Sequence, residues 1–326
     1  MRFTCSNAAV PRALSVMLFL VRSKSVQPSS FSNFFTWRIF DAGYRLSEAI
    51  LNYDVMEKVL RRFQETYRFD AHFDLGSRNP LRISNALGGK KYTIEDESGA
   101  VSYLDESLMT AEQYDALIEN PAAFTWEVIL KNHLPELTLG QLKNGALELI
   151  RFMQFSEHIN KVFVEEYQCK LRLDATRPAG VPFETLFQTY RGMVGISKDL
   201  RRCPERVEQA LQVLFDTTIA PQLKACDFSA PTPSVAGNYI IMMAHSILNE
   251  KQFARFYWPH FKAIFDAVHA QNGTMFVFSE AQILRFADFM DEIPKGIQEA
   301  AQALDFLPPE QREQFLMFLA GVAQMF

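Results

Sequence analysis

The stretch Asn249–Gly296, NEKQFARFYWPHFKAIFDAVHAQNGTMFVFSEAQILRFADFMDEIPKG, decides the fold. Asn249 is a good N-cap, and Gln252 three residues later can complete a capping box. Phe253, Tyr257, Phe261, Ile264, Phe265 and Val268 recur at three- and four-residue spacing, the apolar stripe of an amphipathic helix. Pro259 lacks an N–H and its ring strikes the preceding turn, so the spacing predicts a kink or a second helix with Pro259 in its first turn. Asn272-Gly273 supplies a turn. Thr274–Phe278 then reads as a short strand covered on both faces, with Glu280 where it ends. Helix, turn, strand, polar residue, helix is the unit of a parallel α/β fold, whose chemistry sits at the strand C-termini.

The pattern repeats outward from there. Tyr239–Ala244 is an apolar run ended by His245. Phe69–Leu75 alternates apolar residues with Asp70, His72 and Asp74, and Arg78-Asn79-Pro80 follows as the loop into a helix. Phe34–Phe40 is aromatic-rich and reads as a strand or a pocket wall. Lys91–Tyr103 reads as a hairpin turning at Glu97-Ser98-Gly99. Helices are expected from Leu46 to about Phe63, from Thr110 (N-cap, with Gln113 at N3) to Asn120-Pro121, and over Leu142–Val164. In the last of these, Phe152, Phe155, Ile159 and Phe163 mark the buried face. Pro204, with Glu205 beside it, starts another helix.

The quoted residues resemble the uroporphyrinogen decarboxylase superfamily, which includes porphyrin decarboxylases and cobalamin-linked methyltransferases. The resemblance is carried by Lys251-Gln252-Phe253, Phe256-Tyr257-Trp258-Pro259, Glu280 and Pro294-Lys295-Gly296, and by a second block with Pro182-Phe183, Arg191-Gly192, Asp199 and Pro204. With matches between Asp54 and Glu127 it covers most of residues 46–296. It implies an α/β fold, a (β/α)8 TIM-type barrel over residues 33–326, with residues 1–32 as an extension or first strand and linker. After Gly296 the family continues with two more strand–helix units, whereas here a helical stretch opened by Pro308-Pro309 follows; the barrel is expected to be incomplete at its C-terminus, or the chain a degenerate member.

The implied activity is decarboxylation of a porphyrinogen carboxylate or corrinoid-dependent methyl transfer, the alternative being a non-catalytic barrel that binds a tetrapyrrole or a partner. The first version needs no cofactor; the second uses cobalamin on a corrinoid-binding partner protein, with zinc in some members. The paired arginines of the decarboxylases are missing from the first fifty residues, where Arg38 and Arg45 are the nearest candidates. The His-x-Cys of the zinc-dependent methyltransferases is missing too, because Ser246 and Ile247 follow His245.

Glu280, Asp70 and His245 are therefore the candidate catalytic residues. A carboxyl in a partly desolvated barrel mouth is a plausible general acid, and a histidine can donate a proton or bind a metal. Arg78, Asn79, Arg191 and Tyr257 are the candidate substrate-binding residues, the arginines because a guanidinium pairs a carboxylate through two hydrogen bonds. Each has a bland counterpart: Glu280 as a helix cap, His245 as a hydrogen-bonded structural residue, the Asp70 strand as a solvated edge, the arginines as capping cations, and Phe256-Tyr257-Trp258 as core.

Composition narrows the classes. Hydrophobic residues make up 48% of 326, enough for a substantial core rather than a disordered chain. A formal charge of −5 shows no basic excess of the kind that binds nucleic acid. Cys5, Cys169, Cys203 and Cys226 form no CxxC pair, so a reduced, cytoplasmic thiol set is expected, with no structural metal. Ala13–Val21, flanked by Arg12 and Arg22, has the shape of a signal h-region but is too short to span a bilayer; a first strand or an extension is the competing reading. A homodimer is among the expected states, and a membrane is not among the expected partners.

Overall fold

A computed structural model describes residues 16–18, 31–32, 35–68, 71–73, 81–168, 171–173, 180–228, 238–271, 275–279, 281, 283–290 and 292. The described chain is mostly helical, and its strands form three small sheets. The strands are β1 (Val16–Leu18), β2 (Phe31–Ser32), β3 (Ala71–Phe73), β4 (Tyr92–Glu95), β5 (Ala100–Tyr103), β6 (Leu171–Leu173), β7 (Asn238–Met242) and β8 (Met275–Ser279). One sheet has the order β1-β8-β7, with β8 parallel to β7 and antiparallel to β1. Another has the order β2-β3-β6 and is parallel throughout. The third is the β4–β5 hairpin, in the expected place, with Gly99 at φ 70° in its turn.

The elements of the opening stretch form as their local chemistry dictates. The Asn249 side chain accepts from Gln252 N–H at 2.9 Å, while the Gln252 side-chain Oε1 accepts from Asn249 N–H at 3.1 Å. Pro259 falls in the first turn of the helix Trp258–Ala270, and the turn before it is widened so that Trp258 N–H reaches Phe253 O, five residues back. That widening relieves the clash a proline ring would make with a regular preceding turn. The same helix then returns the chain to β8 beside β7, level with it: Met242 lies opposite Ser279.

Phe34–Phe40 is a correction. The structure has a helix, Phe35–Asp41, in which Arg38 and Ile39 are buried and Trp37 is half-exposed. Trp37 packs edge-on to Phe63 at 5.7 Å, so the aromatic run serves helix packing against Tyr53–Tyr67 rather than a sheet. The buried apolar residues form two clusters. The larger gathers Phe183, Leu186, Leu211, Ile240, Met242, Phe253, Tyr257, Phe261 and Phe286 around β7 and β8. The smaller joins Leu46, Val59 and Leu60 to Leu81, Phe155, Ile159 and Phe163. No helix among the described residues is long and apolar enough to cross a membrane. The Asn272-Gly273 turn and the helical stretch expected after Pro308-Pro309 lie outside the described residues.

Candidate functional site at the carboxyl ends of β7 and β8

β7 and β8 are parallel neighbours that finish level, so the residues just past them meet. His245, three residues beyond β7, is fully buried, with its Nε2 3.2 Å from the Oγ of Ser279 and 3.2 Å from the carbonyl of Ala281. Ser279, the last residue of β8, is also buried and donates its hydroxyl to Ala281 O at 2.6 Å. The His245 ring stands edge-on to Phe286, and Arg285 clamps the backbone by donating to the carbonyls of His245 and Ser246, each at 2.7 Å. The His245 Nδ1 has no hydrogen-bond partner among the described residues. A carbonyl only accepts, so the nitrogen facing Ala281 carries the ring proton and Nδ1 keeps a bare lone pair. Burial opposes the imidazolium and pushes the His245 pKa down to about 4.

A second polar centre forms at the β7 end around Glu184. Glu184, 5% exposed, accepts from Met243 N–H at 2.9 Å and Ala244 N–H at 3.0 Å, the two backbone donors that emerge as β7 stops. The hydroxyl of Tyr257 donates to the same oxygen at 2.8 Å, and Gln188 donates to the other at 3.0 Å. Burial raises the Glu184 carboxyl pKa, and these hydrogen bonds oppose the rise without cancelling it. The same burial, with the carboxylate beside it, holds the Tyr257 phenol well above its usual range.

Arg191 sits in a third arrangement. It donates to Asp199 from Nε at 2.5 Å and from a terminal nitrogen at 3.0 Å, and to Ser107 Oγ at 2.8 Å and Met109 O. Tyr114 completes the set by donating to Asp199 at 2.9 Å. The chain reaches this geometry through Gly192, at φ 64°, where a Cβ would stand 2.8 Å from an Asp105 carboxylate oxygen and 3.0 Å from Glu106 O.

Of the residues the sequence singled out, His245 and Tyr257 are brought to the β7 end, on two different polar centres. Arg191 is spent on a buried ion pair with Asp199. The Tyr257 ring is enclosed, stacked on Phe253 at 5.2 Å and tilted against Phe183 and Phe261. Glu280, Asp70, Arg78 and Asn79 lie outside the described residues. Glu184 and Ser279 were missed. Glu184 carried a signal: it stands in the apolar run Val181-Pro182-Phe183 to Leu186-Phe187 with no cation near it in sequence. No group of three or more His, Cys, Asp and Glu side chains among the described residues could hold a metal ion.

Scanned against protein-family models the chain matches none, and a search of curated proteins gives no match.

Proposed function

We propose that the chain is an enzyme of the uroporphyrinogen decarboxylase kind, with β2-β3-β6 and β7-β8 as arcs of one (β/α)8 barrel. Its substrate would be tetrapyrrole-linked: a porphyrinogen carboxylate to be removed, or a methyl group carried by a corrinoid. The observation that supports this most is the level, parallel end of β7 and β8, where His245, Ser279 and Glu184 gather at strand C-termini. Open parallel α/β folds and barrels place their chemistry there. β1, antiparallel to β8, is the element that falls outside the scheme. In the methyl-transfer version cobalamin would arrive on a partner protein.

A second reading, a barrel of the same kind that binds a tetrapyrrole or a partner without turnover, has its own support. Arg191 and Tyr257 have committed their polar atoms internally, and His245 is sealed. Incubating the purified chain with uroporphyrinogen and, separately, with methylcobalamin plus a thiol separates the versions. Loss of carboxyl groups from the porphyrinogen favours the decarboxylase, and a methylated thiol favours methyl transfer. Product in neither assay from folded protein leaves the non-catalytic reading.

A further inference from the structure

The helix Leu139–Lys161 buries one side and leaves a second apolar side in solvent. Its inward side carries Gly145, where a Cβ would run into Leu87, together with Phe155 and Ile159. On the outward side Leu139 is 86% exposed, Leu142 49%, Leu149 46%, Ile150 52% and Met153 62%, with exposed Ala146 between them. At 100° per residue these six positions fall within an arc of about 100°, a continuous stripe roughly 20 Å long. That is the signature of a helix face that packs on something.

The charges beside the stripe say what. Lys143 and Glu157 are both exposed and stand seven residues either side of Ile150. At 100° per residue both fall on the same side of the stripe's midline, Lys143 just past the Ile150 edge and Glu157 in line with Leu139, one turn beyond Met153. When two such helices pack antiparallel about a two-fold axis at Ile150, Lys143 of one copy meets Glu157 of the other, twice over. Symmetric association requires this self-complementarity. Glu157 now pairs with Lys161 at 3.3 Å, an exposed i,i+4 contact that costs little to exchange. A membrane-surface helix instead concentrates Lys and Arg on its polar face, whereas this one mixes Lys143, Arg151 and Lys161 with Glu148 and Glu157.

We propose that this stripe is a homodimer interface, seating the Leu139–Lys161 helix of a second copy antiparallel to its own. A stripe about 20 Å by about 10 Å lies at the low end of interface sizes, so the dimer should be concentration-dependent rather than obligate. The test is sedimentation equilibrium on the full chain across a concentration series. The wild type should show a monomer–dimer equilibrium, and Ile150→Asp should abolish it with an unchanged melting curve, because the side chain faces solvent. Lys143→Glu should weaken dimerisation about tenfold by opposing like charges, and adding Glu157→Lys to it should restore it. A wild type that stays monomeric, a dimer indifferent to Ile150→Asp, or a charge pair that the double variant fails to rescue would overturn the proposal.

Discussion

The Oγ of Ser279 and the Nε2 of His245 lie 3.2 Å apart, yet both turn toward the same acceptor, the carbonyl of Ala281. A nucleophilic serine would donate its proton to the imidazole, which requires the facing nitrogen to be bare. Here the facing nitrogen carries the proton and the bare one points into the protein. The pair is a lock between the ends of β7 and β8, and chemistry at this end would have to use other groups.

The lock has a pH signature. The folded pKa of His245, about 4, lies below the usual 6.5, so the folded state refuses a proton that the unfolded chain accepts. Its contribution is fully present above pH 6.5 and is lost as pH falls toward 4, amounting to about 3 kcal/mol across that window. Urea midpoints should therefore drop between pH 7 and pH 4.5. In His245→Leu the drop should be smaller by that amount; equal slopes in the two proteins would refute a buried neutral imidazole.

Glu184 titrates in the opposite sense. Its folded pKa is raised by burial, so relative to Glu184→Gln its contribution is present at low pH and is lost as pH rises above the usual 4.5. Removing the carboxyl is a different matter. Glu184→Ala strands the N–H groups of Met243 and Ala244 and the Tyr257 hydroxyl, and each unsatisfied buried donor costs about 1–3 kcal/mol. The alanine variant should lose more than about 3 kcal/mol by urea denaturation at pH 7, and the glutamine variant clearly less.

What the sequence could reveal was what is local. The Asn249–Gln252 box, the first-turn Pro259, the hairpin turn and the strand before Glu280 each follow from residues within a few positions of one another. Glu184 shows in sequence only as a carboxylate in an apolar run; apart from Gln188, four residues on, its partners lie 59 to 73 residues away and two of them are backbone groups, so its place was not legible. Arg191 reads in sequence as a substrate clamp because bidentate geometry looks alike whether the carboxylate belongs to a substrate or to Asp199. The Leu139–Lys161 helix shows a third limit. Its Phe155, Ile159 and Phe163 face was readable, but the Leu142, Ile150 and Met153 face is equally apolar, and periodicity does not say which one the rest of the chain covers.

Gly192 should resist substitution. A side chain there combines a left-handed backbone with a Cβ only 3.0 Å from the fixed carbonyl of Glu106. Gly192→Ala should cost at least about 1 kcal/mol from the backbone alone. It should also loosen the Met193 N–H contact to Asp105. Thermal melting read against a Gly43→Ala control, also at positive φ but with nothing within 4 Å of the added carbon, separates strain from crowding. A Gly192 variant no worse than the control would show that the crowding is relieved cheaply.

The Arg191–Asp199 pair gives the most decisive contrast between a structural and a substrate-binding arginine. Both side chains are nearly inaccessible, at 9% and 2%, and Tyr114 and Ser107 complete the network around them. Arg191→Met leaves the Asp199 charge buried without its cation, a change that costs about 3–5 kcal/mol. Arg191→Lys keeps the charge but loses the fork, and should fall between that variant and the wild type. Burial and the neighbouring aspartate charge push the Tyr114 phenol well above its usual range. Its hydroxyl therefore stays protonated and donating to Asp199 at any ordinary pH. In Arg191→Met/Asp199→Asn the stranded charge is gone while an acceptor for Tyr114 remains, so the double variant should recover part of the single variant's loss. Recovery in urea denaturation is the outcome expected of a structural pair. If Arg191→Met instead keeps wild-type stability and loses only the capacity to bind a carboxylated tetrapyrrole, Arg191 belongs to the substrate.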